Sequence, residues 1–209
     1  MKRYLIIISL MLPGITLAKY DTIDHLMEQL NQKLQDKNQS ELAVKAGKFR
    51  AELCQYCHGK DGNSLRDYIP NLAGQNPQYL LTQFEFFRLG KRKDYVMGKI
   101  AKTISEDDRV NLALYYSNQK VNNKAANSRP DSNSKQIFDK KCASCHGKHG
   151  HGNKDLPRIA GQPNKFIIKT LTDYRNNNHR RPNSPMLGIA ATLSNEDIKT
   201  LASYISTMN

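Results

Sequence analysis

The sequence predicts an all-α fold of two tandem helical domains. Two observations carry this. From about residue 47 the chain repeats its own pattern, with matched segments 87 to 89 residues apart. Sustained apolar/polar alternation is absent, so no segment reads as a strand. A third observation says what each half is wrapped around. Cys54-Gln55-Tyr56-Cys57-His58 and Cys142-Ala143-Ser144-Cys145-His146 are both Cys-x-x-Cys-His, the pattern for covalent c-type haem attachment. The chain is expected to carry two covalently bound haem c groups.

Residues 1–18 read as a secretory signal peptide. Lys2 and Arg3 precede an apolar run, Pro13 and Gly14 break it, and Thr16-Leu17-Ala18 offers a cleavage site after Ala18. An uncleaved anchor is the competing reading, but the run is well short of the roughly 20 residues that span a bilayer. Residues 19–46 read as a helix and connector, with Ile23, Leu26, Met27, Leu30 and Leu34 on one stripe. That stripe suits packing on the first domain better than docking on a partner or a membrane, because the polar face mixes both charge signs.

Residues 47–118 form the first repeated domain and 135–209 the second. Phe49 and Leu53 are expected to lead one helix into the first motif, and Ile137 and Phe138 another into the second. Pro70-Asn71-Leu72-Ala73-Gly74-Gln75 matches Pro157-Arg158-Ile159-Ala160-Gly161-Gln162. Apolar helices follow: Tyr79, Leu80, Phe84 and Phe87 in one half, Phe166, Ile167, Leu171 and Tyr174 in the other. Each half ends on a helix with a capping-box pattern at Ser105 or Ser194, an acid standing three residues on. Residues 119–134 are rich in Asn, Ser and Lys and read as a linker.

The two motifs use all four cysteines. Cys54, Cys57, Cys142 and Cys145 would form thioethers, with His58 and His146 as axial iron ligands. A four-cysteine zinc site would leave the histidines and the domain repeat unexplained. A thioredoxin-like dithiol lacks its strand–helix surroundings. A sixth ligand decides what the iron can do. Met97 and Met186 lie 39 and 40 residues beyond the axial histidines, each expected in a loop before a capped helix. The pairing favours axial ligation over core filling, and a neutral thioether would raise the potential and close the iron. Pro70 and Pro157 offer backbone carbonyls that could hold the histidine rings. His179 competes with Met186, while His149, His151 and His25 read as surface residues.

The formal charge is +13, and losing Lys2 and Arg3 with the signal leaves +11. Four propionates from two haem groups would bring this to about +7. Export argues against nucleic acid. The remaining partners are acidic redox proteins or an anionic membrane surface. Residues 135–209 hold the larger excess, 12 Lys or Arg against 5 Asp or Glu. Arg175, Arg180 and Arg181 would place a landing site near the Met186 loop, unless they merely solvate the surface.

This order of parts resembles a class I c-type cytochrome in each half. The tandem is similar to the dihaem cytochrome c4 family over residues 46–209. The resemblance implies two His/Met-ligated haem domains, a periplasmic location with or without membrane association, and electron delivery to a terminal oxidase. The leading expectation is a carrier between a quinol-oxidising complex and such an oxidase, with no catalysis of its own. The alternatives are a dihaem peroxidase, which needs an open iron, and a cytochrome subunit of a periplasmic dehydrogenase.

Overall fold

The structure is a computed structural model that describes residues 22–122, 132–178 and 180–209. The signal-peptide reading, most of the linker and the His179 alternative lie outside the described residues. Helices α1 (Thr22–Gln35) and α2 (Lys37–Arg50) open the described chain, and a 3-10 turn (Ala51–Leu53) leads into α3 (Gln55–His58). Helices α4 (Pro77–Arg88), α5 (Tyr95–Thr103) and α6 (Glu106–Ser117) complete the first half. The second half repeats the series as α7 (Ser132–Lys141), α8 (Ala143–His146), α9 (Asn164–Arg175), α10 (Met186–Ala191) and α11 (Asn195–Thr207). The described residues contain no strand, only one isolated bridge between Asn153 and Leu156.

Two cores form. The first gathers Leu80, Leu81, Phe84 and Phe87 of α4 with Val110, Leu112, Leu114 and Tyr116 of α6. The second gathers Phe138, Ile167, Leu171, Ile198, Leu201 and Ile205. In each half the helix entering the Cys motif packs on the last helix, α2 on α6 and α7 on α11. The contacts differ in kind. In the second half Phe138 meets Tyr204 edge-on at 5.5 Å. In the first, Gly47 lets two backbones approach: a Cβ there would sit 2.2 Å from the Asn111 carbonyl oxygen.

Where the sequence suggests one helix and a connector over 19–46, two helices stand, separated at Asp36. That side chain accepts from the backbone N–H groups of Asn38 and Gln39 and so caps α2. Helix α1 buries Leu26 and Leu30 completely against the first core. Each such Leu contributes about 1.5–3 kcal/mol by leaving water. Phe49 and Leu53, on the stretch that leads into the first motif, are 77% and 65% exposed. Ala43 and Gly47 are the buried residues of α2, so small side chains take the inner face.

The halves meet along a seam with approximate two-fold logic. The Gln75 side chain accepts from the Arg158 N–H at 2.7 Å and donates to its carbonyl at 2.8 Å. The matching Gln162 side chain accepts from the Asn71 N–H at 3.0 Å and donates to its carbonyl at 2.9 Å. Asn76 stands at the start of α4 but does not cap it. Its amide reaches across to the carbonyls of His151 and Leu156. Farther along, Lys93 N–H donates to the Arg180 carbonyl at 2.8 Å, and Phe166 N–H to that of Asp67.

Candidate haem sites

Each Cys-x-x-Cys-His closes into a single helical turn. His58 N–H bonds the Cys54 carbonyl at 2.9 Å, and His146 N–H bonds that of Cys142 at 2.9 Å. The turn stops at glycine in both halves. Gly59 has φ +82° and Gly147 φ +77°, a backbone that L side chains resist. The turn places the two cysteines of each motif and its histidine together. Cys54 and Cys142 lean on their cores, while Cys57 and Cys145 are exposed.

His58 and His146 are buried. His58 Nδ1 lies 2.9 Å from the Pro70 carbonyl oxygen, and His146 Nδ1 lies 3.0 Å from that of Pro157. A carbonyl only accepts, so Nδ1 is the protonated nitrogen in both rings and Nε2 carries the lone pair. Burial holds both imidazoles below their ordinary value, and the carbonyl bonds work against it. In the first half Arg92 adds to the lowering and Asp94 opposes it, so both charges act on the His58 site. A neutral imidazole with an oriented Nε2 lone pair is the form that binds iron.

The inner thiols are matched too. Burial raises Cys54, with Tyr116 and Arg50 pulling the other way, and pushes Cys142 up to about 11. Both are neutral at pH 7, and a thioether puts an equally uncharged sulfur in the same place.

Met97 packs on the first core beside Cys54, and Met186 on the second beside Cys142. Neither lies in a loop. Met97 is in the first turn of α5, where Asp94 accepts from the N–H groups of Val96 and Met97 at 3.0 Å each. Met186 is the first residue of α10, its N–H bonded to Ser184 Oγ at 3.3 Å. The turns that present the two thioethers are thus held differently: Asp94 caps α5, whereas α10 has no side-chain cap at Pro185 and relies on the Ser184 bond. Asp94 was readable as a cap from sequence, because an Asp before an apolar helical run is a start signal.

Apolar side chains around the first motif stand open. Leu65 is 90% exposed, and Tyr95 and Val96 beside Met97 are 78% and 54% exposed. Such surface suits a large apolar group seated on the motif. The neutral imidazole, the thiol pair and this surface together fit haem c.

The other histidines do not join these sites. His149 and His151 lie tilted to each other with ring centroids 5.9 Å apart, and His151 Nε2 meets the Asn209 carbonyl. His25 bonds Gln29 on the surface of α1. Among the described residues no three His, Cys, Asp or Glu side chains cluster as a metal site. The three arginines expected to form a landing site also bond within the molecule. Arg175 bonds the Leu193 carbonyl and Asn195, Arg180 pairs with Asp94 and Asp173, and Arg181 bonds two tyrosines.

Comparison with known proteins places the chain in a family. The Cytochrome c family model matches residues 132–209. Cytochrome c4 of Stutzerimonas stutzeri is 33% identical over 183 residues, covering 78% of this chain and 87% of its own. The thiosulfate dehydrogenase electron acceptor of Stutzerimonas stutzeri strain A1501 is 26% identical over 170 residues, covering 75% and 79%. The crystal structure of reduced recombinant cytochrome c4 from Pseudomonas stutzeri superposes with a TM-score of 0.73 at 33% identity, covering 79% of this chain and 98% of that one. The tandem all-α halves, each with a c-type haem motif, are therefore class I cytochrome domains, and the chain belongs to the dihaem cytochrome c4 family of electron-transfer proteins.

Proposed function

We propose that the protein is a periplasmic electron carrier between a quinol-oxidising complex and a terminal oxidase. Cys54 and Cys57 hold one haem c and Cys142 and Cys145 the other, in domains 47–118 and 135–209. His58 with Met97 and His146 with Met186 are the axial pairs. The bound haem supplies one-electron Fe(II)/Fe(III) chemistry. The chain supplies the rest. Pro70 and Pro157 fix each histidine tautomer, and the Asp94 cap and the Ser184 hydroxyl fix where each thioether begins. The net charge of +11 beyond residue 18 suits acidic redox partners.

The observation that carries this reading is equivalence. Both halves bond Nδ1 to a proline carbonyl and set a Met at the start of the next short helix. A peroxidase needs one half to differ by an open iron. A second reading, acceptor to a periplasmic dehydrogenase, is supported by the thiosulfate dehydrogenase electron acceptor among the relatives.

The test is the optical spectrum of the exported holoprotein, with a pyridine haemochrome count. Two haem groups, the far-red Met–Fe(III) band and no response of the reduced protein to carbon monoxide are expected. Met97→Ala and Met186→Ala should each open one iron to carbon monoxide. A wild-type protein that binds carbon monoxide at one haem would favour the peroxidase. Midpoint potentials and electron-transfer rates with purified oxidase and with purified dehydrogenase then separate the two carrier readings.

A further inference from the structure

The loop behind each axial histidine holds the chain that leaves the last helix of its half, and different residues do this in the two halves. Asp61 and Asn63 match His149 and His151 at an offset of 88, the offset of the Cys motifs. Asn63 donates from its amide to the Lys120 carbonyl at 2.9 Å and accepts from the Asn122 N–H at 2.8 Å. Asp61 accepts from the Asn122 amide at 3.3 Å. In the second half His151 takes this part, with Nε2 2.7 Å from the Asn209 carbonyl oxygen. Among the described residues His149 makes no hydrogen bond, and its neighbour is the His151 ring, 5.9 Å away between centroids. An amide suffices for the grip, as Asn63 shows, so the grip does not account for a pair of imidazoles.

The backbone under the pair is fixed. Gly150 between the histidines has φ +65° and Gly152 after them φ +61°. A Cβ on Gly152 would sit 2.1 Å from the Leu156 carbonyl oxygen. Gly152 N–H bonds the His146 carbonyl at 2.8 Å, and the Gly150 carbonyl accepts from Ile159 and Ala160 at 2.7 and 3.0 Å. Two exposed side chains are thereby held side by side before any ligand arrives, which lowers the entropy cost of binding one. A carbonyl only accepts, so His151 Nε2 is protonated and Nδ1 carries the lone pair. A ligating histidine is oriented in this way, one nitrogen given to a carbonyl and the other free. His58 and His146 use the same device with the two nitrogens exchanged. An ion about 2.0–2.1 Å from one nitrogen of each ring puts the centroids roughly 4.5–6.5 Å apart, a range that includes the observed 5.9 Å.

We propose that His149 and His151 chelate a divalent transition-metal ion beside the second haem, with His151 oriented by the Asn209 carbonyl. The surroundings narrow the choice of ion. Lys148 precedes the pair, and Asp139 is committed to Lys135 at 2.5 Å. The hard ions Ca²⁺ and Mg²⁺ need oxygen ligands, which the pair does not offer. Imidazole nitrogen suits Cu(II) and Zn(II), and Cu(II) stands at the top of the affinity order. The site begins three residues beyond His146, and His149 lines one cavity with Ala143 of the second Cys motif. A dication held there disfavours the ferric state of the second haem and leaves the first, whose loop has Asp61 and Asn63 instead.

The test titrates untagged, exported ferric holoprotein, stripped of metal with EDTA, with Cu(II) chloride and separately with Zn(II) sulfate, by isothermal calorimetry. Wild type is expected to bind one equivalent of either ion, Cu(II) the more tightly. Pulsed electron paramagnetic resonance of the Cu(II) form should show coupling to two imidazole nitrogens. His149→Ala and His151→Asn should each weaken binding by at least about tenfold, the lower bound for losing an orienting partner alone. His25→Ala should leave binding unchanged. The His151→Asn variant keeps an amide to hold Asn209, as Asn63 holds Lys120, so its loss of binding is not a loss of fold. No uptake by wild type, coupling to a single imidazole, or variants that bind as tightly as wild type would overturn the site. If His151→Asn disturbs folding, His149→Ala decides, because His149 has no hydrogen bond to lose. Saturating Zn(II), which exchanges no electrons, should raise one midpoint potential in a spectroelectrochemical titration and leave the other. Both moving, or neither, would overturn the link to the second haem.

Discussion

Glu85 has no exposed side-chain surface, yet it holds two arginines. Its carboxylate lies 2.6 Å from Arg109 Nε and 2.8 Å from Arg88 Nη2. Arg109 is itself 4% exposed and donates to the Ile104 carbonyl at 2.7 Å. The network ties α4 to α6, and α5, which lies between them in the chain, carries Met97 in its first turn. Glu85→Ala leaves the buried Arg109 cation with only the longer 3.6 Å contact to exposed Glu106, and breaking the buried pair costs about 3–5 kcal/mol. Urea denaturation of the holoprotein should show the loss in the first half, with the second-half transition unmoved. Glu85→Gln should cost less, because one hydrogen bond can survive. Nothing in the sequence marks this residue, since Glu85 stands among Phe84, Phe86 and Phe87 like any charge on an amphipathic helix. His58 and His146 were legible because covalent attachment fixes the residue types and their spacing. The proline carbonyls behind them were legible for the same reason, as ligation requires one protonated nitrogen and one free.

The last helices show how one pattern yields two caps. Ser194 accepts from Asp197 N–H at 3.0 Å, and the Asp197 carboxylate accepts from Ser194 N–H at 2.8 Å, closing a full capping box on α11. Ser105 accepts from Asp108 N–H at 3.2 Å, but the Asp108 carboxylate turns to Arg50 of α2 at 3.1 Å. The sequence pattern is shared, and a tertiary partner absent from the second half decides between the outcomes. Helix α2 escaped the sequence for a related reason. Its inner face is Ala43 and Gly47, and a search for large apolar residues reads such a helix as a connector. The box at α11 predicts a pH effect. The bond from Ser194 N–H, helped by its hydroxyl, holds Asp197 below the usual carboxylate range. A depressed folded value means the stabilisation is present above the unfolded value and is lost as pH falls through the folded one. Asp197→Asn should therefore flatten the acid limb of the stability curve below about pH 4, measured by thermal unfolding at fixed ionic strength. Ser194→Ala should cost about 1 kcal/mol at neutral pH.

At the scale of the whole molecule, the seam turns two equivalent halves into one object. The repeat predicted equivalent parts, but a repeat is silent on whether those parts touch. Gln75 and Gln162 recur at matched positions, which is visible in sequence. That each grips the backbone of the other half is visible only once both halves are folded. The choice of side chain has a physical reason, since an amide can accept from an N–H and donate to a C=O of one residue at once. The first half's Asn71 also gives its side chain to the Gly161 carbonyl at 2.9 Å, whereas Arg158 at the matched position gives only backbone. The halves are therefore not interchangeable at their contact. Gln162→Ala removes two bonds to Asn71, worth about 0.5–1.5 kcal/mol each, and leaves buried backbone groups unpaired. Gln75→Ala does the same at Arg158. The double variant should cost less than the sum of the singles, because once one side opens, water reaches the other. Small-angle scattering of the double variant should give a larger radius of gyration while both haem groups and their ligand bands persist. An unchanged radius would mean that the backbone bonds from Lys93 to Arg180 and from Phe166 to Asp67 hold the halves without the glutamines. Electron exchange between the haem groups requires them to stay close, so the same variant should slow intramolecular transfer while leaving each site's ligation intact. That combination would separate the work of the seam from the work of either site.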